Sequence, residues 1–296
     1  MAAFLGEVFS RHYNGLMDVE VWIEPFAGGA GAGLTLLEAE VVSEVWLVER
    51  NPALAAFWRC ARTQSEALAG LVEHTSPTMA QWERSRALLA APAEAKDEMD
   101  LAMAAFLVNR CSRSGMISPK VGPIGGKRQD GDWSIASRFN GPALAERIRR
   151  VGSYPLRVIE GDAIDYVEGL TDCGFEDEVM LFVDPPYVRE GNGLYAQGMS
   201  LDEHRRLAKA LRECPSPWLL TYDDEPVVAQ EWYAENPVLE FEIAHTANRQ
   251  RIDCEYLVLS HNVAIPFDPQ VLPTGSCRWL REPDYILSDQ PTLTLA

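Results

Sequence analysis

Four short apolar runs in this chain each end at a carboxylic acid, and helical segments lie between them. VEVWIE closes at Glu24, SEVWLVE at Glu49, LRVIEGD at Asp162 and EVMLFVD at Asp184. Near the start, VEVWIEPF (19–26) reads as a strand, AGGAGAG (27–33) as a flexible turn, LTLLEAE (34–40) as the start of a helix and SEVWLVE (43–49) as a second strand. That βαβ order implies a parallel sheet. Equivalent strand ends of a parallel sheet share one edge, and ligands bind outside the carboxyl ends. A single acid there suits a helix cap or a solvated strand end. Four together predict one crevice lined by carboxylates.

The rest of the chain extends this pattern. Asn51 stands as a helix cap with Pro52 at the first helical position, and helical periodicity continues through TMAQWERSRALLAA (78–91) and AKDEMDLAMAAFLVNR (95–110). Residues 112–141 are rich in Gly, Pro and Ser and poor in apolar side chains, which predicts a long surface loop. After a helix at PALAERIRRV the alternation resumes, with PWLLTYDD (217–224) as another strand and LEFEIAHT and CEYLVLSHN as an antiparallel pair. The expected architecture is α/β: a doubly wound, mostly parallel sheet with a mainly helical insertion. Residues 1–60 and 151–264 would form the discontinuous main domain, 61–150 the insertion with its basic loop, and 265–296 a Pro-rich tail lying loosely on the surface.

A length of 296 residues with 47% hydrophobic content suits one large domain that buries a real core. No run approaches the ~18 apolar residues of a membrane span, and MAAFLGEVFSRHYNG has no basic lead before an apolar signal core, so a cytoplasmic location is expected. The six cysteines are scattered, without metal-type spacing, and the five histidines form no HxxxH pair, so free thiols and no metal are expected. A net charge of −18 argues at first against a polyanionic partner, but the distribution is uneven. Between Arg110 and Arg150 nine basic residues face three acids, a local +6 on a body that otherwise sums to −24. Close charges outweigh distant screened ones, so such a segment can dock on nucleic acid. Arg110 and Arg113 follow a helix that should aim at the crevice, and Lys127, Arg128 and Trp133 lie in the long loop; all five are candidate DNA contacts.

The turn EPFAGGAGAG lets backbone approach a ligand and points helix amides at it. It matches neither GxGxxG from Gly28 nor a phosphate-binding loop with Lys-Ser/Thr, which favours a cofactor with a nucleoside and a charged amino-acid part over a pyrophosphate. Glu49, 25 residues after Glu24, stands near the position where an acid accepts from ribose hydroxyls. Asp184-Pro185-Pro186-Tyr187 is a different device. Each proline fixes φ and removes an amide donor, leaving a stiff loop with two acceptors, the Asp184 carboxylate and the Pro185 carbonyl. Two acceptors suit the two N–H groups of an exocyclic amine. Held by both hydrogens, the nitrogen is biased toward a tetrahedral shape with its lone pair free to attack. Tyr187 offers a face on which a base could stack.

With EPFAGG, NRCSRSGM, DPPY, the SRFN segment and a closing RQRIDCEYLVLSHN in this order, the sequence resembles the D12 class, or Dam-like group, of DNA adenine-N6 methyltransferases over roughly residues 20–262. The resemblance implies a Rossmann-like class I methyltransferase fold, S-adenosylmethionine as cofactor and N6 of a flipped-out adenine in double-stranded DNA as target. It implies that Glu24, Pro25, Phe26, Ala27, Gly28 and Gly29 hold the methionine part of the cofactor, Glu49 and Asn51 the ribose, and Asp162 the adenine, while Asp184, Pro185, Pro186 and Tyr187 grip the target amine. It further implies a monomer and, where such enzymes serve restriction-modification, a cognate restriction endonuclease. Family members commonly begin with a Tyr/Trp-x-Gly-x-Lys segment that closes over the cofactor; this chain begins MAAFLGEVFSRHYNG. Methylation of cytosine N4 uses the same loop chemistry, and the acidity leaves open a methyltransferase for protein or small molecules, or a non-catalytic cofactor or DNA binder.

Overall fold

The computed structural model describes residues 6, 21–115, 117, 118, 120–170, 179–188, 198–245, 251–263 and 276–283. Its strands are β1 (Val21–Glu24), β2 (Glu44–Glu49), β3 (Leu156–Glu160), β4 (Val179–Val183), β5 (Trp218–Asp223), β6 (Val238–His245), β7 (Arg251–Leu259) and β8 (Cys277–Arg281). They form one sheet in the order β3-β2-β1-β4-β5-β7-β6-β8. β1 to β5 pair in parallel, and β7, β6 and β8 extend the sheet by antiparallel pairing. The chain runs outward from β1 to β2 and β3, then returns to the other side of β1 for β4. This reversal opens a crevice at the carboxyl ends of β1 and β4, where doubly wound sheets place their ligands. The doubly wound, mostly parallel sheet expected from the strand pattern is present.

The central strands are apolar along their whole length because helices cover both faces: β1 and β4 are buried at every position. The helices are α1 (Gly31–Glu38), α2 (Pro52–Thr63), α3 (Ser65–Glu73), α4 (Met79–Ala90), α5 (Glu98–Cys111), α6 (Gly141–Ser153), α7 (Ala163–Leu170) and α8 (Leu201–Glu213). One face of the sheet packs Trp22, Leu47 and Phe182 against α1 and Trp58 of α2. The other packs Ile23, Leu181 and Leu220 against Ile164 of α7 and Leu207 of α8. Helix starts are chemically fixed. Asn51 accepts from the amides of Ala53 and Leu54 with Pro52 in the first turn, as expected, and Ser200 forms a capping box with Glu203. Among the described residues no helix is long and apolar enough to cross a membrane.

Two expectations about boundaries change. The divisions placed after residues 60 and 150 fall inside α2 and α6. Helix α2 has two apolar faces: Trp58 joins the sheet core, while Ala53, Ala56 and Cys60 join Leu68, Ala102, Leu144 and Ile148 in a core shared by α2, α3, α5 and α6. The helical layer is thereby continuous with the sheet. Nor is the whole Pro-rich tail loose. Cys277–Arg281 forms the edge strand β8, with Cys277 and Trp279 leaning on the core, Arg278 bonded to Glu240 at 2.5 Å and the Arg281 guanidinium donating to the carbonyls of Ala229, Tyr233 and Asn236.

Candidate active site

The four strand-end acids meet at one edge. Parallel register sets Ile23 beside Trp46 and Leu181, and Glu49 beside Glu160, so Glu24, Glu49, Asp162 and Asp184 all emerge at the carboxyl ends. All four line a single cavity of about 770 Å³, a size typical of small-molecule and cofactor sites. Pro25, Phe26, Ala27, Gly28, Gly29, Asn51 and Pro186 line it as well. Trp58, Phe106, Met199 and Glu203 complete walls that sequence reading did not assign.

The acids do unequal work. Glu24 is only 4% exposed, and its Oε1 accepts from the Gly33 amide at 2.5 Å and the Trp22 indole at 3.2 Å. A Cβ at Gly33 would stand 2.8 Å from that oxygen and from Val45, so only glycine lets the helix start come this close to the carboxyl. Burial pushes Glu24 up to about 7 against the pull of those two donors, and the charge on Asp184 adds to the push. Glu49 braces the turn: its Oε2 accepts from the Gly28 amide at 3.0 Å and its Oε1 from the Asn51 amide at 2.7 Å. Burial raises it too, opposed by those amides and by Arg50. Trp58 fixes the same turn from outside, donating to the Gly28 carbonyl at 3.0 Å. Asp162 caps α7 through the amides of Ile164 and Asp165 and lies 3.4 Å from Arg50, which also reaches Glu203 at 3.5 Å.

Asp184 is exposed on the cavity side. Its Oδ1 accepts from the Thr221 hydroxyl at 2.7 Å. Strand register explains the contact: Val183 pairs with Leu220, so Thr221 follows directly beside Asp184. Burial raises the Asp184 pKa, opposed by hydrogen bonds from Thr221 and Tyr187. Tyr187 stands apart from the cavity-lining residues. The Tyr187 ring packs 6.3 Å from the Tyr222 ring, and its hydroxyl turns inward among Asp184, Thr221 and Glu255, so it does not line the cavity. Pro185 is buried and also off the wall. Val188 pins the end of the loop to β5 through the Asp223 carboxylate at 3.1 Å.

The basic candidates separate. Arg110 lines the cavity, joined by Arg147 of α6, which the sequence reading had not singled out. Arg113 lies over Gly122 of its own loop, and Arg128 pairs with Asp130 at 3.2 Å. Lys127, Arg128 and Trp133 are exposed, Trp133 at 68%, and stand off the cavity wall. Part of the local positive charge is neutralised within the fold: Arg149 bridges Glu66 and Glu73, and Arg150 reaches Glu38. Among the described residues no cluster of three or more His, Cys, Asp or Glu is arranged to hold a metal.

Two observations suit the cavity to a ligand that carries positive charge and lies close to the backbone. A Cβ built on Gly28, Gly29 or Gly31 would meet nothing within 4 Å, so the turn borders open space, and the facing groups are carboxylates. No protein-family model matches the sequence, and no curated protein matches it significantly. Solved structures of similar shape include an S-adenosylmethionine-dependent methyltransferase from Agrobacterium tumefaciens, at 11% identity and a TM-score of 0.40 over 86% of this chain. This chain spans 60% of the length of that protein. An rRNA methyltransferase from Streptomyces viridochromogenes aligns at 14% identity and a TM-score of 0.36, covering 87% of this chain and 83% of that one. A putative RNA methyltransferase from Pyrococcus horikoshii aligns at 11% identity and 0.35, covering 87% and 82%.

Proposed function

We propose that this chain is an S-adenosylmethionine-dependent methyltransferase of the D12, Dam-like class, acting on N6 of an adenine extruded from double-stranded DNA. The observation that carries the reading is Asp184: an acid on a proline-stiffened loop, open to the same cavity that the glycine turn borders. Bound in that cavity, S-adenosylmethionine would supply an electrophilic methyl group on a sulfonium. The residues that would hold it are the turn from Glu24 to Gly31, with Glu49 and Asn51 at the ribose and Asp162 toward the adenine.

The chain's own part is placement and electrostatics. Asp184 accepts a hydrogen from the target amine through the lone pairs that Thr221 leaves, and so favours a nitrogen whose lone pair faces the methyl donor. Glu24, beside it, adds negative potential where positive charge is carried. The extruded base costs a few kcal/mol of stacking and pairing, which contacts from the basic loop offset. Incubation with methyl-labelled cofactor and DNA of mixed sequence, followed by nucleoside analysis, tests the reading. N6-methyldeoxyadenosine is the expected product; label on deoxycytidine or on protein would move the substrate elsewhere.

A further inference from the structure

Two of the cationic groups that line the cavity have no carboxylate partner among the described residues. Its described guanidinium groups belong to Arg50, Arg110 and Arg147. Arg50 is engaged by Asp162 and Glu203. Among the described residues Arg110 touches no carboxylate: its Nη2 donates to the Arg138 carbonyl at 3.0 Å, and its Nε is sealed from solvent without an acceptor. Arg147 makes no hydrogen bond or ion pair among the described residues, and Asn109 stands on the same wall with its amide nitrogen held by the Gly115 carbonyl. Two like charges, one half-buried, therefore line the cavity without an ion-pair partner among the described residues. Burial, and then repulsion from Arg138 and Arg147, pushes the Arg110 pKa below its ordinary value, although a guanidinium stays charged. Holding a half-buried guanidinium without a carboxylate partner is costly, and a ligand oxyanion at its accessible edge would offset that cost.

We infer that Arg110 and Arg147 form an oxyanion subsite within the cofactor cavity that takes the carboxylate of the cofactor's amino-acid part. This rests on the cofactor reading above and deepens it. The same cavity carries Glu24 and Asp184, suited to ammonium and sulfonium charge, so its lining complements a ligand that carries both signs. Arg110 lies on the cavity wall, not with the exposed Lys127 and Trp133 where a duplex backbone would pass, which favours the cofactor over a DNA phosphate as the source of the anion.

The test is calorimetric titration of the full chain with S-adenosylhomocysteine and with its decarboxylated analogue, S-adenosyl-3-thiopropylamine, for wild type, Arg110→Ala and Arg147→Ala. Arg147→Ala serves as the second variant because it breaks no hydrogen bond within the described fold. The expected result is a loss of about 10- to 100-fold in affinity for S-adenosylhomocysteine, with affinity for the analogue changed by less than about threefold. Equal losses for both ligands, or no loss for either, would overturn the inference while leaving the cofactor reading intact. A loss of DNA affinity with unchanged S-adenosylhomocysteine binding would also overturn it and assign the arginines to phosphate. Wild type that binds neither small molecule would bring down the inference and the cofactor reading together.

Discussion

Glu24 and Asp184 end neighbouring parallel strands, line the same cavity and are both pushed upward by burial, yet the fold treats them differently. Glu24 is part of the scaffold, held by a helix amide and an indole, and its neighbour Gly33 is the residue that permits the contact. Asp184 meets the hydroxyls of Thr221 and Tyr187 and keeps its open side toward the ligand space. The turn after β1 is built to hold its own shape. The loop after β4 is stiffened by prolines instead, so its acid needs few protein partners and stays available for chemistry.

Substitutions at the two acids should separate these roles, and the largest effect is expected at Asp184. Asp184→Ala should lower methyl transfer by about 10³-fold or more while thermal unfolding shifts little, since the side chain opens on the cavity and meets the protein through the hydroxyls of Thr221 and Tyr187. Turnover assays beside thermal melts would show it; a large fall in stability would make Asp184 as structural as Glu24. Gly33→Ala should do the opposite, costing about 1–3 kcal/mol of stability because its Cβ must displace Val45 and the Glu24 carboxyl. Chemical denaturation checks this, and a neutral result would mean the turn is looser than its contacts imply.

The pH response sharpens the contrast. Between 4.5 and about 7 the unfolded chain has released the Glu24 proton while the folded chain keeps it. Stability attributable to this group is therefore full at the acid end of that window, declines as pH rises through it by on the order of 3 kcal/mol, and levels off above. Glu24→Gln should flatten that slope in denaturation curves taken across the window. A cationic cofactor favours the charged acid, so its affinity should rise with pH up to about 7 and its binding should release protons, measurable by calorimetry in buffers of different ionisation enthalpy. The smallest effect is expected from Trp58→Phe, which keeps a ring but loses the bond to the Gly28 carbonyl; about 1 kcal/mol of cofactor affinity, roughly fivefold, should go.

What the sequence made legible follows from how local each signal is. Strand ends, the glycine turn and the Asn51 cap are written in adjacent residues, and the structure gathers all four acids at one edge as the βαβ pattern requires. Thr221 was not legible because its contact with Asp184 depends on the register of two strands 35 residues apart or more. The same register carries Tyr222 to Tyr187 and turns that ring away from the cavity. Trp58 and Leu54 recur at helical spacing along α2, but that spacing reads equally as core, and only the packing shows that both face the cavity. Arg147 reaches it because α6 packs across α2 and α3, a tertiary placement that the basic segment alone does not encode. The edge strand β8 was hidden by the prolines around it, since its pairing partner lies far back in β6.

The central claim is that Asp184, and not merely the cofactor cavity, directs methyl transfer to an adenine amine. Methyl-labelled cofactor, duplex DNA and purified wild type and Asp184→Ala, followed by nucleoside analysis, test it in one measurement. The account predicts label in N6-methyldeoxyadenosine with wild type and none with the variant at matched cofactor binding. Equal label from both proteins, or wild-type label confined to another acceptor, would contradict it.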